Sequence, residues 1–311
     1  MSGRADAIAF LSASQPFAGA FLNAVPLTGV FTMTSDFFLT AVQRRLRAPL
    51  SVLHGLSRSA TLDAAVDPWG DAYQNAGTHS TRHASVLTAW AHALKHAHGS
   101  SRLESEPARY AAYSETRPDI VRKGAVGPGK HILYEIKVVS PITTGRSTSS
   151  PRGTTVAFAN TVDGLRALIH GAAATATHQR VRGAYAFAKK RGHHVRDVIH
   201  ETFGGFSPGA AALLHSLAKA RDDKIGAHQL SAPWCAQQFT SYHAQRISIA
   251  IHTACAEEIH RLAELDVPAS VNPDPFDPPH SPTSVTDTHY GGSSPPADSC
   301  FDDDCDDDDA L

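Results

Sequence analysis

The feature that most constrains the fold is the stretch 117–141, in which a Gly/Pro turn separates two segments that can pair as strands. The turn contains Gly124, Gly127, Pro128 and Gly129. The apolar run that comes after it, 132–139, is short, rich in Ile, Val and Tyr, and bounded by Gly and Pro. These properties are typical of a buried strand. The stretch therefore predicts a β-hairpin.

Two charged residues, Glu135 and Lys137, interrupt this apolar strand. Because side chains alternate along a strand, both should point to one face, opposite Tyr134, Ile136 and Val138. Buried charges are costly unless they have a partner or a use. A second acid, Asp119, lies just across the turn, and two acids with a lysine on paired strands can hold a divalent cation and stabilise developing negative charge. The alternative is an edge strand with a solvated Glu/Lys pair.

Length and composition set wider limits. With 311 residues, 42% of them hydrophobic, the chain can form one large or two small domains. No run of about 18 apolar residues predicts a membrane span, and the N-terminus lacks the pattern of a signal peptide. The four cysteines (Cys235, Cys255, Cys300 and Cys305) form no CxxC pair. We therefore expect an intracellular protein of the nucleus or cytoplasm that is not secreted.

Charge is distributed unevenly along the chain. Eleven Asp residues and no Lys or Arg follow Asp266, so the part up to Asp266 carries a net charge of +9 although the whole chain carries −2. The Pro/Ser/Asp-rich segment 267–311 cannot form a core and is expected to be a disordered acidic tail. A basic body suits a polyanion, and nucleic acid, most simply DNA, is the expected partner.

Helices and strands alternate through the middle of the chain. The strands are expected at 103–107, 132–139 and 194–200. The helices are expected at 16–24, at 35–47 (capped by Ser35 or Asp36), and at 81–98, 161–191, 208–221 and 235–265. The order helix, strand, turn, strand, helix, strand from 81 to 205 predicts an α/β fold.

Pro118-Asp119 followed by Glu135-Ile136-Lys137 resembles the PD-(D/E)xK signature of restriction-endonuclease-like nucleases. A wider set of blocks, in order, is similar to the endonuclease region that follows the reverse transcriptase in certain non-LTR retrotransposon polyproteins. These blocks are SASQPFAGAFLNAVP (12–26), DPWGD with the later RH (67–83), RPDI to KVVSP (117–141), HETFGGFSP (200–208) and QFTSYHAQRISIA (238–250). The resemblance covers most of 10–262, and no polymerase motif is visible.

The resemblance implies a restriction-endonuclease-like core, a mixed sheet flanked by helices, with additional N- and C-terminal helices. It divides the chain into a helical and irregular region at 1–80, the nuclease-like core at 81–205, C-terminal helices at 206–266 and the tail. It further implies hydrolysis of DNA phosphodiester bonds with Mg²⁺ or Mn²⁺ held by Asp119 and Glu135, while Lys137 orients the nucleophile or stabilises the transition state. The expected DNA contacts are basic: Arg180, Arg182, Lys189, Lys190 and Arg246.

The sequence departs from the family pattern at two places. The cysteines of the family's zinc knuckle are missing between Leu50 and His83, and His92 and His96 have no obvious third ligand, so no zinc is expected. The helix after Arg82-His83 lacks the acid that commonly completes the metal site; Glu106, or less readily Glu104, would substitute as a catalytic residue. Two alternatives to the nuclease hypothesis therefore remain open. One is a decayed nuclease fold that only binds nucleic acid, and the other is a structural remnant without activity.

Overall fold

The computed structural model describes residues 2–75, 79–107, 117–142, 184–222, 224 and 236–267. All of them belong to one compact unit, Met1–Pro268. Within them the helices are α1 (Ser2–Ala13), α2 (Ser35–Leu46), α3 (Asp71–Gln74), α4 (His79–His98), α5 (Ala186–Lys190), α6 (Pro208–Lys219) and α7 (Phe239–Asp266). The strands are β1 (Arg58–Ser59), β2 (Ala64–Ala65), β3 (Leu103–Ser105), β4 (Ile120–Gly127), β5 (Lys130–Val139) and β6 (His194–Glu201). Apart from Val267, the expected acidic tail lies outside the described residues.

The central sheet has four strands in the order β3-β4-β5-β6 and is mixed. β3, β4 and β5 are antiparallel neighbours, whereas β5 and β6 run parallel. The predicted hairpin is confirmed, with Ile120 opposite Tyr134 and the chain reversing through Pro128 and Gly129. A parallel neighbour requires a crossover connection, and α5 lies on the connection between β5 and β6.

Helices cover both faces of this sheet. On the first, which we call the α4 face, Ile120, Tyr134, Ile136 and Val198 pack against apolar residues of α4, α6 and α7. On the second, the α5 face, Val121 and Leu133 pack against Tyr185 and Ala188 at the start of and within α5. The alternation predicted for 132–139 is therefore confirmed, and the molecule is a mixed α/β fold with a four-stranded sheet between helices.

The N-terminal third of the chain packs along α7. Phe21 N donates to Ser248 Oγ (3.2 Å), and Arg82, with its side chain 1% exposed, pairs with Glu258 at 3.0 Å. Arg82 also donates to the side chain and the backbone carbonyl of Gln74. These contacts fix the position and rotation of α4, which carries one wall of the candidate site.

Several elements differ from the expectation. The segment 16–24 forms turns and a short 3₁₀ helix, Ala20–Asn23, because Phe17 has a left-handed backbone (φ 62°) and Phe21 is buried in a core cluster with Tyr242 and Ile249. Packing therefore overrides local helix propensity there. The cap of α2 is Thr34, which accepts from Phe37 N, rather than Ser35 or Asp36.

The expected long helix at 161–191 is described only at its end. There a turn at 184–185 precedes α5, so the helix does not run unbroken to 191. The last helix, α7, begins at Phe239 because Gln238 is still extended (φ −98°, ψ 151°). No helix in the described ranges is long and apolar enough to cross a membrane.

Candidate active site

Glu135 and Lys137 of β5 form an ion pair on the α5 face. Lys137 Nζ lies 2.6 Å from Glu135 Oε1, and the Tyr185 hydroxyl donates to Glu135 Oε2. The Glu135 side chain is only 6% exposed, whereas that of Lys137 is 37% exposed. The carboxylate is therefore held from inside the protein, and the ammonium group reaches toward solvent.

Asp119 stands directly across from Glu135. Its backbone N–H donates to Tyr134 O (3.1 Å) and so extends the β4–β5 ladder by one residue beyond Ile120. Its carboxylate accepts from Ile136 N (2.6 Å) at Oδ2, and His83 Nε2 lies 3.0 Å from Oδ1. The two acids and the lysine are thus brought together, as the sequence predicted from strand pairing.

The electrostatics of the site follow from burial and from the closeness of the two acids. Burial raises the pKa of Glu135, and the charge of Asp119 raises it further, against the opposing effects of Lys137 and Tyr185. The hydrogen bond to Asp119 raises the pKa of His83, although burial opposes it. Burial and the neighbouring Glu135 likewise raise the pKa of the Tyr185 hydroxyl. A cation placed between the acids would relieve their repulsion.

Asp119, Lys137 and His83 border a cleft of about 670 Å³, whereas Glu135 and Tyr185 lie behind its wall. Asp119, Lys137 and His83 line one part of it, and Glu106 and Arg117 another. The rest of the wall comes from Gln74, Asn75, Ser80 and the end of β5 at Val138, Val139 and Ser140. The volume falls within the usual range of ligand sites, about 300–1,000 Å³.

Glu106, the proposed substitute acid, lies at the margin of this cleft. Its N–H donates to Asp119 O (2.8 Å), so it continues the row of Asp119 and Glu135 across a third strand. The backbone at Glu106 is left-handed (φ 45°), and its carboxylate pairs with Arg117 (3.0 Å) with both side chains about half exposed. Glu104 pairs with Lys123 instead (3.0 Å).

The residues expected to contact DNA lie in different places. Lys189 and Lys190 end α5 on the α5 face. Arg246 belongs to α7, which packs on the opposite face, and lines a second cavity of about 260 Å³. These positions do not form one continuous surface. Arg180 and Arg182 lie outside the described residues.

Two residues of the site were missed as functional candidates. His83 takes the place beside Asp119 where an acid was sought, and its only sequence signal was its position next to Arg82, whose burial against Glu258 turns His83 to the cleft. Tyr185 lies 50 residues after Glu135 in the sequence, and no local pattern predicts that the two side chains meet.

The chemistry of the donors favours one kind of metal. A zinc site usually needs at least three protein ligands. Among the described residues no group of three His, Cys, Asp or Glu side chains could hold a metal ion. His96 and His243, whose ring nitrogens lie 2.9 Å apart, therefore have no third ligand of these types in the described part of the chain. Mg²⁺, by contrast, usually keeps several waters and uses one or two protein carboxylates together with substrate phosphate. Asp119 and Glu135, close enough to repel each other, fit that pattern.

Comparison of the chain with protein-family models, with curated proteins and with solved structures found no match. A functional assignment therefore rests on the geometry of the site and on the sequence.

Proposed function

We propose that this protein is a metal-dependent endonuclease that hydrolyses DNA phosphodiester bonds. The observation that carries the proposal is the convergence of Asp119, Glu135 and Lys137 on the paired strands of a mixed sheet, where Asp119 and Lys137 line a cleft. The proposal includes a restriction-endonuclease-like core and descent from the endonuclease of a non-LTR retrotransposon, on the strength of the sequence blocks that resemble that family.

Each residue has a distinct role in this proposal. Asp119 and Glu135 hold Mg²⁺ or Mn²⁺, which when bound activates water and neutralises phosphate charge. Lys137 extends into the cleft, where its ammonium group stabilises negative charge that develops on the phosphate oxygens. His83 and Tyr185 act through other residues: they orient the carboxylates of Asp119 and Glu135 by hydrogen bonds. The net charge of +9 up to Asp266 favours a polyanionic substrate.

A second candidate is a decayed nuclease fold that binds nucleic acid without cutting it. One observation favours it: every oxygen of the Asp119 and Glu135 carboxylates already has a protein partner, namely His83, Ile136 N, Lys137 or Tyr185. A carboxylate oxygen has a second lone pair, so these contacts do not by themselves exclude a cation. Metal binding separates the two candidates.

The test is cleavage of supercoiled plasmid DNA by the full chain with Mg²⁺ or Mn²⁺. Glu135→Gln removes a ligand charge and keeps the shape, so cleavage should fall by orders of magnitude while the melting temperature is retained. Lys137→Ala should still bind metal yet cleave about 10²–10³-fold more slowly. Glu104→Gln is the matched control, since this acid pairs with Lys123, and it should cleave normally. If the wild-type protein neither binds these metals nor cuts DNA, the nuclease proposal is refuted and the decayed fold that only binds nucleic acid remains as the candidate.

Glu106→Gln tests the third acid of the row. The contact between Glu106 and Arg117 is half exposed and therefore weak, so the carboxylate can turn toward Asp119 at little cost. We expect a loss of cleavage smaller than that of Glu135→Gln but clearly larger than that of Glu104→Gln. Cleavage equal to wild type would remove Glu106 from the site.

A further inference from the structure

The second cavity, of about 260 Å³, lies in the groove between α4 and α7. Gly29 and Val30, in a short 3₁₀ segment before α2, form its third wall. The next residue, Phe31, holds this segment on α7 through an edge-on ring contact with Tyr242, with the centroids 5.2 Å apart. The cavity is therefore enclosed by elements that are fixed in the core.

The residues that line this cavity from α7 are spaced i, i+3, i+4 and i+7, so they share one face of the helix. They are Arg246, Ile249, Ala250 and Thr253. Arg246 and Thr253 lie at its two ends, about 10 Å apart along the axis at about 1.5 Å per residue. The cavity is thus longer than a single small anion, yet smaller than the sites of about 300–1,000 Å³ that hold drug-sized ligands.

Three side chains of the cavity have hydrogen-bond donors that the protein does not use. Arg246 is half-buried and forms no ion pair with any described residue. Thr253 Oγ1 is buried without a partner, and the Ser85 hydroxyl has no hydrogen bond within the described part of the chain. Thr88 differs, because its hydroxyl already donates to Ala84 O (2.9 Å). No carboxylate of a described residue lines the cavity, so the free donors suit an anion.

Helix α4 separates this cavity from the candidate active site. Residues two apart in an α-helix are rotated by about 200° around its axis. Ser85, which lines the cavity, is therefore on the opposite side of α4 from His83, which lines the cleft. A helix with its side chains is about 10–12 Å across, so one phosphate group cannot occupy both sites.

We propose that Arg246, Ser85 and Thr253, the Arg246 groove, bind a phosphate ester. The guanidinium group matches two oxygens of a phosphate, and the two hydroxyls donate to oxygens farther along the ligand. A free nucleotide and a nucleotide within a DNA strand both present this chemistry. The inference goes beyond the proposed nuclease, because the groove lies behind α4 and takes no part in hydrolysis.

The experiment is isothermal titration calorimetry of the full chain with thymidine 5′-monophosphate in EDTA. Arg246→Gln should weaken binding about 10–100-fold, because it removes hydrogen bonds to a charged group. Thr253→Val keeps the shape and loses only the hydroxyl, so it should weaken binding about two- to tenfold. It should not lower the melting temperature of the ligand-free protein, since that hydroxyl has no partner. A purely structural role would give the reverse: a lower melting temperature and unchanged affinity.

Two variants are matched controls. Arg261→Gln removes an exposed arginine of α7 that does not line the groove, and Thr88→Val removes a hydroxyl that already donates to Ala84 O. Each should bind the nucleotide within about twofold of wild type. Lys137→Ala tests the cleft instead. Binding that is lost in Lys137→Ala but kept in Arg246→Gln would place the nucleotide in the cleft and overturn the inference, as would equal losses in the controls.

A thymidine oligonucleotide with a 5′-hydroxyl distinguishes the two sources of the phosphate. If it competes with the mononucleotide, and Arg246→Gln weakens its binding too, the groove takes a nucleotide within a strand; if it does not compete, the groove takes a free nucleotide. No binding of either probe at about 10 mM, where even a millimolar site would be filled, would overturn the inference. Binding in EDTA does not depend on catalysis, so a chain that binds nucleotide through Arg246 but never cuts DNA would refute the nuclease and keep the groove.

Discussion

Two ion pairs in this protein look alike in distance but differ in surroundings. Arg82 and Glu258 are 3.0 Å apart with side chains 1% and 2% exposed, and Arg82 also binds Gln74. Lys137 and Glu135 are 2.6 Å apart, but the lysine is 37% exposed at a cleft. An enclosed pair can only hold helices together, whereas a pair with one member in solvent can exchange its partner for a ligand. Access, more than burial of the acid, therefore distinguishes the two pairs, and only the accessible pair is suited to bind a ligand.

Removing the cation of each pair should give the largest contrast. Arg82→Ala leaves the buried carboxylate of Glu258 without the charge of Arg82, although Gln74 still donates to it, and this should cost about 3–5 kcal/mol of unfolding free energy. Lys137→Ala leaves Glu135 with the Tyr185 hydroxyl and removes a cation that is itself 37% exposed, so its cost should be much smaller. Urea denaturation followed by circular dichroism measures both. The double variant Arg82→Met/Glu258→Leu should recover most of the stability, because apolar residues of similar size often replace buried pairs without loss. Equal costs for the two single variants would contradict the distinction.

Glu201 offers a third case beside the two ion pairs, because it is a fully buried acid with no salt-bridge partner among the described residues. Burial raises its pKa to about 8, against a weaker opposing effect of the Ser12 hydroxyl. The folded state keeps this proton up to about pH 8, while the unfolded chain loses it near 4.5. Stability should therefore fall between these values as pH rises, by up to about 1.4 kcal/mol per unit.

Glu201→Gln should remove this part of the pH dependence. The quantity to measure is the difference in unfolding free energy between wild type and variant from pH 5 to 8, because buried histidines add a separate effect. Burial lowers the pKa of His243 to about 2 and of His252 to about 3, so their contribution is lost as pH falls below about 6.5. A difference that stays constant with pH would show that Glu201 is ionised in the folded state.

The smallest expected effect comes from Tyr185→Phe. This change removes the hydroxyl that donates to Glu135 Oε2 and keeps the ring packed against Leu133. Loss of a hydrogen bond to a charged group should cost about 1.5–3 kcal/mol when Glu135 is ionised. Cleavage should fall less than in Lys137→Ala, because Tyr185 orients a ligand without reaching the cleft. Stability at pH 7 and plasmid cleavage test the two effects, and no change in either would show that Tyr185 only fills space.

Local patterns were enough to predict half of this site. Period-two alternation in β5 and the Gly/Pro turn together place Asp119 opposite Glu135 and put Lys137 on the same face, and both are properties of residues close in sequence. His83 and Tyr185 depend instead on packing across long separations. Which face of α4 meets Asp119 is set by Arg82 and Glu258, and no pattern around His83 contains that information.

The fold shows the same division. The strands of the central sheet and α2, α4 and α6 follow from apolar periodicity and turn residues, whereas the short strands β1 and β2 were not predicted. The segment 16–24 does not, because its shape is decided by distant residues: Gly204, at φ +88°, would carry a Cβ 2.8 Å from Ala18 O. Several of the sequence blocks behind the family resemblance, including 200–208 and the start of α7, are largely buried. The residues of these blocks therefore reflect the packing of the core at least as much as any catalytic role.

The packing of the N-terminal third of the chain against α7 has a consequence for biosynthesis. Gln74 and its partner Glu258 are 184 residues apart, and a ribosome adds about 5–20 residues per second. The N-terminal third must therefore wait roughly ten to forty seconds after it is made before the helix that completes its core appears. During that interval Phe21, Phe31 and Tyr73, all buried in the finished molecule, are exposed to solvent. A nascent chain of this kind is a natural client for chaperones that bind apolar segments as they leave the ribosome.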